Sequence, residues 1–194
     1  MADKIIALTG GIGSGKSLAL KILTEAGYGT VSCDEITAAL YKKRKIKKKI
    51  AEIFPSAASG RLFIGIDKRA VAKEAFSDAV KREKLNAFLH PLILEKAINV
   101  ARKKKGKTAF VEVPLLFESK SEGRFDGVIV IMRNLKDRRD SVKKRSSITE
   151  EEIMDRVKSQ FDYNLTDTEK YAVIYNDKDI EKFSEEVIKT AKEF

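Results

Sequence analysis

The chain has 194 residues, of which 43% are hydrophobic, a proportion that can bury a core and that excludes an intrinsically disordered protein. Lys and Arg number 39 against 29 Asp and Glu, so the formal net charge is +10 and polyanions such as nucleotides, coenzymes or nucleic acids are the favoured ligands. No apolar run approaches the roughly 18 residues that a membrane-spanning helix needs.

The first predicted elements are a strand and the loop behind it. Apolar residues at 5–9 predict a buried strand, and residues 10–17 read Gly-Gly-Ile-Gly-Ser-Gly-Lys-Ser, a complete G-x-x-x-x-G-K-S phosphate loop. A helix is predicted from Lys16 to Ala26, and Gly27 ends it. Glycines let several backbone N–H groups point at one phosphate chain, and the helix N-terminus adds partial positive charge. The loop therefore predicts a nucleoside triphosphate site, with a glycine-rich turn that binds nothing as the alternative.

A second strand is predicted at residues 30–33, and helical patterns without a convincing core strand follow it from residue 35 to residue 105. Helical segments are predicted to end near Phe54 and to begin after Asp67, after Ser77 and at Pro91. Residues 60–66 predict either a short strand or a turn. This helical insertion is large enough to bind a second substrate.

The lysine-rich tract at residues 42–49 lies inside this insertion and is interrupted by the apolar residue Ile46. We interpret it as the solvated face of a helix, with a nucleic-acid patch as the alternative.

Three further strands are predicted at residues 108–113, 127–132 and 172–175. Between the last two, residues 135–160 are dense in charge and carry a capping box, Thr149 with Glu152, which is typical of a helical lid. Five strands alternating with helices predict an α/β fold, in which a five-stranded parallel sheet is covered on both faces. Ligands of such sheets bind at the carboxyl ends of the strands, where the phosphate loop lies.

Four side chains are expected to act at that edge. Lys16 can reach the β- and γ-phosphates, and the Ser17 hydroxyl is placed to ligate Mg²⁺. Asp34 can accept or orient the proton of an attacking hydroxyl, with capping of the next helix as the alternative. Glu112 ends the third strand and would hold Mg²⁺, with a structural hydrogen bond as the alternative.

The chain has a single cysteine, Cys33, so it forms no intramolecular disulfide and a reducing compartment is its natural setting. The N-terminus runs directly into a strand without a charged and then apolar leader. We expect a cytoplasmic protein, in which Cys33 is a small buried hydrophobic residue.

Longer strings carry a resemblance that spans almost the whole chain. They are Ala7 to Ser17, Cys33-Asp34, Asp67-Lys68-Arg69 with Phe76, His90-Pro91-Leu92-Ile93, Glu112 to Glu118, Arg145 with Arg156 and Gln160, and Val173 to Asn176. In this order they resemble the dephospho-coenzyme A kinase family. The phosphate loop is common to many families, whereas the His-Pro-Leu-Ile and Val-Pro-Leu-Leu-Phe-Glu strings are specific.

The resemblance implies transfer of the γ-phosphoryl group of ATP to the ribose 3′-hydroxyl of dephospho-coenzyme A, with Mg²⁺ as cofactor. It implies a P-loop kinase with three parts: a core (residues 1–34, 106–134 and 161–194), a helical dephospho-coenzyme A-binding domain (35–105) and a lid (135–160). The implied partners are these two small molecules, without nucleic acid or membrane, and the oligomeric state stays open.

The site residues follow from the motif and the resemblance together. The predicted catalytic residues are Lys16, Asp34 and Arg145, and the predicted metal ligands are Ser17 and Glu112. The predicted ATP-binding residues are Gly11, Ile12, Gly13, Ser14, Gly15, Lys16, Ser17, Leu18 and Asn176. The predicted substrate-binding residues are Asp34, Lys68, Arg69, His90, Pro114, Leu115, Leu116 and Glu118. A capping or packing role is the alternative for His90, and a turn-forming role is the alternative for Asn176.

One departure from the family pattern concerns the lid. An arginine usually precedes Arg145 by four residues, and this chain has Ser141 there. Arg138 and Arg139 are the candidates to replace it.

Two other functions are weighed against this one. A nucleoside monophosphate kinase shares the core and the lid but should lack the two specific strings. A nucleotide-switched RNA-binding protein would suit the charge of +10, but the N-K-x-D and D-x-x-G strings of guanine-specific switch proteins do not occur in the sequence.

Overall fold

A computed structural model of the chain describes residues 1–60, 65–145, 149–177 and 179–194. It divides into two compact units, a core unit (Met1–Ser32 with Ile98–Phe194) and a helical unit (Cys33–Ala97). In the described ranges, none of the helices is apolar over a length sufficient to cross a bilayer.

The elements follow one another in this order along the described chain. The strands are β1 (Lys4–Thr9), β2 (Gly29–Ser32), β3 (Ala58–Ser59), β4 (Gly65–Ile66), β5 (Thr108–Glu112), β6 (Gly127–Met132) and β7 (Ala172–Tyr175). The α-helices are α1 (Lys16–Glu25), α2 (Cys33–Leu40), α3 (Arg44–Ile53), α4 (Lys68–Ser77), α5 (Ala79–Arg102), α6 (Leu135–Arg145), α7 (Glu150–Lys158) and α8 (Ile180–Ala191). Short 3-10 helices lie at Pro55–Ala57, Glu122–Arg124 and Tyr163–Leu165.

The core unit is built on a parallel sheet, whose described strands lie in the order β2-β5-β1-β6-β7. β1 is central, and every residue after its first is buried, as expected for a strand covered on both faces. This confirms the predicted α/β class with a five-stranded parallel sheet. Each of the five predicted strands is present, with ends that differ from the prediction by at most one residue.

An apolar cluster joins the sheet to the helices α1 and α8. Its buried members are Ile6, Leu8, Ala19, Ile22, Leu23, Phe110, Ile129, Ile131, Ile174, Phe183, Val187 and Ala191. Because α1 packs here, the loop between β1 and α1 is anchored at both ends and lies at the carboxyl edge of the central strand.

The helical unit has an apolar cluster of its own, drawn from α2 to α5. Its buried members are Leu40, Ile46, Ile50, Phe54, Ala57, Val71, Ala75 and Leu89. In α3, Ile46 and Ile50 are buried while Lys45, Lys48 and Lys49 are exposed, as the sequence predicts for a solvated helix face. The Asp67 side chain accepts from the N–H groups of residues 69 and 70 and caps α4, which begins where predicted.

The prediction that a helix begins at Pro91 is wrong. Pro91 lies inside α5, which runs without interruption from Ala79 to Arg102. A proline inside a helix removes one backbone hydrogen bond and crowds the preceding turn. Leu89 and Leu94 are buried on either side of it, so the packing of this helix outweighs that local cost.

The segment predicted as a short strand or a turn is described only in part, because residues 61–64 lie outside the described residues. Its end, β4, pairs antiparallel with β3, with Ala58 opposite Ile66. This pair forms a two-stranded sheet that is separate from the parallel sheet.

Candidate active site

The phosphate loop has the backbone conformation that its glycines permit. Gly13 and Gly15 have positive φ angles of 76° and 106°, a region that side chains disfavour. A Cβ on Gly15 would lie 2.2 Å from Nδ2 of Asn176, so glycine is also required by close packing. α1 begins immediately afterwards at Lys16, which leaves its first N–H groups directed at the loop.

Lys16 lies against this loop. Its Nζ donates to the carbonyl oxygens of Gly10 and Gly11 at 2.7 and 3.1 Å. The ammonium group is therefore held among the backbone groups that would cradle a phosphate chain.

Ser17, in the first turn of α1, lies beside Glu112, the last residue of β5. The Ser17 hydroxyl donates to Oε1 of Glu112 at 3.0 Å, and Glu112 is buried with a 5% exposed surface. A hydroxyl and a carboxylate are the oxygen ligands that Mg²⁺ accepts, and Mg²⁺ keeps several waters besides. Among the described residues, no group of three or more His, Cys, Asp or Glu is arranged to hold a metal ion. The predicted Mg²⁺ site at Ser17 and Glu112 would therefore complete its coordination with water and phosphate oxygens, and it stays a prediction.

Asn176 supports the phosphate loop from behind. It is buried, its Nδ2 donates to the Ser14 carbonyl at 2.8 Å, and its own N–H donates to the carbonyl of Met132. The side chain therefore links the end of β7 to the loop, a role that neither the adenine prediction nor the turn alternative contains. Its predicted contact with adenine stays a prediction.

The tip of the phosphate loop is held by two side chains from distant parts of the chain. The Ile12 N–H donates to Oε1 of Gln160 at 2.7 Å, and the Ile12 carbonyl accepts from Nε of Arg138 at 2.9 Å. Both backbone polar groups of Ile12 are thus hydrogen-bonded, one by a side chain within α6 and the other by a side chain that follows α7. The hydroxyl of Ser14, which is fully buried in the same loop, has no hydrogen-bond partner among the described residues.

A cavity of about 320 Å³ opens beside this tip. Its lining includes Gly11, Ser14, Arg133, Arg138 and Gln160. It is large enough for part of a nucleotide and is bordered by two arginines, which suits an anionic ligand.

The loop after β5, predicted to bind substrate, packs against the segment that follows α7. Oε1 of Glu118 accepts the N–H of Phe161 at 2.8 Å, and the rings of Phe117 and Phe161 lie 4.8 Å apart. Leu116 is fully buried, whereas Leu115 is half-buried and has a positive φ of 59°, which is strained for a non-glycine residue. Of the two leucines, only Leu115 therefore offers surface to a ligand, and the role of the loop stays a prediction.

The ring of Tyr163 packs against the rings of Phe117 and Phe161, and its hydroxyl lies at the end of β1. Its hydroxyl lies 3.4 Å from Oγ1 of Thr9, and both residues are buried. Burial raises the pKa of Tyr163 to about 12, because the phenolate loses hydration. The side chain therefore stays neutral throughout the physiological range.

The predicted lid residues fold as two helices. α7 begins with the predicted capping box, in which the side chains of Thr149 and Glu152 each accept a backbone N–H of the other. Arg145 ends α6, is exposed, and its Nε donates to the Ser141 carbonyl at 3.1 Å. Residues 146–148, between the helices, lie outside the described residues.

Four of the predicted site residues lie in the helical unit. Asp34 is exposed in the first turn of α2, which begins at Cys33, so it does not precede the helix as the capping alternative requires. Lys68 lies over the ring of Tyr41, with Nζ 5.3 Å from the ring centre, and Arg69 is exposed beside it. His90 is half-buried within α5. Their predicted contacts with substrate stay predictions.

Comparison with known proteins decides the family. The model of the dephospho-CoA kinase family matches residues 4–182. The chain belongs to the dephospho-CoA kinase family. The chain is 33% identical over 157 residues to a dephospho-CoA kinase of Thermus thermophilus, covering 80% of this chain and 74% of the relative.

Two solved structures share the fold of this dephospho-CoA kinase family member. A Thermus thermophilus protein described as TT1252 aligns with a TM-score of 0.85 and 28% identity, covering 100% of this chain and 98% of the other. A dephospho-CoA kinase from Campylobacter jejuni shares the fold, with a TM-score of 0.69 and 24% identity over 100% of this chain and 97% of the other. The family model and the 33% identical relative confirm the predicted family.

Within this dephospho-CoA kinase family member, the structure adds groups that the sequence did not assign to the site. Gln160 appears in the family strings but without a role, and Arg138 was one of two lid candidates. Tyr163 has no sequence signal, because its partner Thr9 is 154 residues away. Cys33 is buried, as the sequence predicts.

Proposed function

We propose that the protein transfers the γ-phosphoryl group of ATP to the ribose 3′-hydroxyl of dephospho-coenzyme A, giving coenzyme A and ADP. The observation that carries this proposal is the convergence of Lys16, Ser17 and Glu112 at the phosphate loop of a dephospho-CoA kinase family member. The specific strings around His90 and Pro114 favour dephospho-coenzyme A over a nucleoside monophosphate as acceptor.

The phosphate loop and the first turn of α1 would bind ATP. The N–H groups of the loop and of the first turn of α1 would bind phosphate oxygens, and Lys16 would exchange its carbonyl partners for the β- and γ-phosphates. Ser17 and Glu112 would hold Mg²⁺, which neutralises charge on the β- and γ-phosphates when it is bound.

The acceptor would be activated by Asp34. It follows the carboxyl end of β2 by two residues, and its exposed carboxylate is able to accept or orient the proton of an attacking hydroxyl. Arg145 would stabilise the charge of the transferring phosphoryl group from the lid, residues 135–160.

The helical unit would bind dephospho-coenzyme A. Lys68 and Arg69 are exposed cations for its phosphates, and His90 with the loop at residues 114–118 would contact the rest of the molecule. A cytoplasmic location, and small molecules as the partners, are part of the same proposal.

The test is a coupled assay of ADP release. Purified protein with MgATP receives dephospho-coenzyme A, adenosine, AMP or CMP in turn, and the product is identified by mass and by its use in a coenzyme A-dependent acyl transfer. We expect turnover with dephospho-coenzyme A and a product that supports acyl transfer. Faster turnover with AMP or CMP would indicate a nucleoside monophosphate kinase, and turnover with none of the four would contradict the proposal.

A matched pair of variants distinguishes proton acceptance by Asp34 from a purely structural role. Asp34→Asn should lower kcat far more than the affinity for ATP, because only the proton acceptor is removed. The control is Glu35→Gln, which removes an exposed carboxylate from the next position of α2. Equal effects of the two substitutions would show that Asp34 has no special role.

A further inference from the structure

The positive charge of the chain is concentrated in the helical unit. Residues 33–97 hold 15 Lys and Arg against 8 Asp and Glu, so this unit carries +7 of the formal net charge of +10. Seven of those cations occupy residues 42–49, where Ile46 is the one interruption. These seven side chains are called the cationic tract below, and none of them has a role in the proposed function.

The cationic tract is exposed, and little of its charge is compensated. Six of its members are exposed and Lys47 is half-buried. Among the described residues, Lys49 alone of the tract has an ion-pair partner, Glu52, at 2.9 Å. The hydrogen bond from Lys49 lowers the pKa of Glu52, so this carboxylate is ionised and already engaged. The other six cations therefore keep their field in the surrounding water.

The like charges of the tract destabilise α3 locally. Arg44 and Lys48 are four residues apart, and Lys45 and Lys48 are three apart, so cations are neighbours on the helix surface. The first turn of α3 has no acidic residue, although the beginning of a helix favours one. Burial of Ile46 and Ile50 holds the helix in place despite this repulsion. Charges that oppose the local fold are expected where a function requires them.

The tract begins beside cations that the proposed function assigns to the acceptor. Lys42 directly follows Tyr41, and Nζ of Lys68 lies 5.3 Å from the centre of the Tyr41 ring. Arg69 is the next residue of α4. Within the helical unit, the ring of Tyr41 thus joins the start of the cationic tract to the predicted phosphate contacts.

We propose that the cationic tract attracts the phosphates of dephospho-coenzyme A through the solvent and raises the rate at which they encounter Lys68 and Arg69. A surface with one sign of charge raises the local concentration and the association rate of a ligand with the opposite charge. The inference rests on the proposed function, and it adds to that function a group of residues that act before the acceptor is bound.

The range of this attraction depends on salt. The ten residues of α3 span about 15 Å. The Debye length is about 30 Å at 0.01 M ionic strength and about 3 Å at 1 M, so the charges of the tract act together at a distance only when the ionic strength is low. A direct contact with the bound acceptor would be screened much less.

The test neutralises three exposed cations of α3 in the full chain. The triple variant combines Arg44→Gln, Lys45→Gln and Lys48→Gln, because glutamine matches arginine and lysine in helix propensity. The values of kcat and KM for dephospho-coenzyme A are measured with saturating MgATP at ionic strengths of about 0.03 M and about 0.5 M. At the lower ionic strength, kcat/KM should fall by about 3- to 10-fold with kcat unchanged, since a whole charged surface is worth about 10- to 1000-fold and three of seven cations are removed. At the higher ionic strength, the difference from the wild type should disappear.

A matched control separates steering by the tract from the effect of net charge. It combines Lys103→Gln, Lys105→Gln and Lys107→Gln, which remove the same charge from exposed positions of the core unit. Its kcat/KM should stay within about twofold of the wild type at both ionic strengths. Equal falls in the two triple variants, or no fall in the α3 variant at low ionic strength, overturn the inference. A fall that persists at high ionic strength indicates direct contact with the bound acceptor and overturns it as well.

The Tm of the nucleotide-free protein distinguishes steering from a structural role of the tract. In the α3 variant the Tm should be unchanged or higher, because repulsion between like charges is removed. A lower Tm would assign these cations to the stability of the helical unit and would overturn the inference.

Failure of the inference and failure of the proposed function give different results. A wild type that does not phosphorylate dephospho-coenzyme A contradicts the proposed function, and the inference falls with it. If the wild type phosphorylates dephospho-coenzyme A and the α3 variant has the same kcat/KM at low ionic strength, the inference alone fails.

Discussion

The support that Asn176 gives to the phosphate loop can be tested by removing its side-chain amide. In Asn176→Ala, the 2.8 Å hydrogen bond from Nδ2 to the Ser14 carbonyl is lost, and that carbonyl belongs to a residue with no exposed surface. The lost bond is worth about 1 kcal/mol, and a buried carbonyl left without a donor costs about 1 kcal/mol more. We therefore expect the free energy of unfolding to fall by about 2 kcal/mol.

For a chain of this size, 1 kcal/mol corresponds to a Tm change of about 2–4 °C, so Asn176→Ala should lower the Tm by about 4–8 °C. The measurement is calorimetry of the nucleotide-free protein, followed by titration with MgATP. Asn99→Ala is the control, since Asn99 is exposed on α5 and alanine is the better helix former. Its Tm should be unchanged or slightly higher.

The two roles considered for Asn176 give different results. If Asn176 supports the loop, the Tm falls before any nucleotide is added. A variant with the Tm of the wild type but weaker MgATP binding would refute the support that we derive from the hydrogen bond, and would favour a direct contact with adenine instead.

Three further predictions concern the same core unit. Lys16→Ala should lower kcat by several orders of magnitude with little change in Tm, because its ammonium donates to two loop carbonyls and does not belong to the apolar cluster of the core unit; near-normal turnover would contradict the site. Glu112→Gln should raise the Mg²⁺ concentration needed for half-maximal activity by about 10- to 100-fold, and an unchanged requirement would remove Glu112 from the metal site. Tyr163 has a pKa of about 12 in the folded protein and near 10 when unfolded, so the unfolded state releases its proton first as the pH rises. Between about pH 10 and pH 12, the free energy of unfolding should therefore fall further in the wild type than in Tyr163→Phe, as measured by urea unfolding at both pH values.

The strands and the phosphate loop could be predicted from the sequence because their signals are local. The apolar run at residues 127–132 predicts a strand that is buried on both sides, and β6 has these same bounds. The loop pattern is equally local, since the cradle is made by the backbone of eight consecutive residues. The family strings, likewise, are read from neighbouring residues.

At Pro91 the local sequence pattern predicted a helix start that the structure does not have. A proline is common at the first position of a helix and rare within one, so the sequence by itself favours a start there. In the structure α5 passes through Pro91, because burial of the residues on either side stabilises the longer helix. Packing of that kind involves residues that are not neighbours in sequence.

The contacts that hold the phosphate loop in place depend on the tertiary structure. The Ile12 carbonyl and N–H meet side chains that are 126 and 148 positions away, and the Ser14 carbonyl meets one that is 162 positions away. No periodicity or motif encodes such pairs, because they arise only when α6, the segment after α7 and the end of β7 are assembled around the central strand. Local sequence patterns were enough for the fold class, the phosphate loop and the family, whereas the contact of Arg138 with the Ile12 carbonyl and the ion pair of Arg139 with Glu150 depend on how the folded chain packs α6.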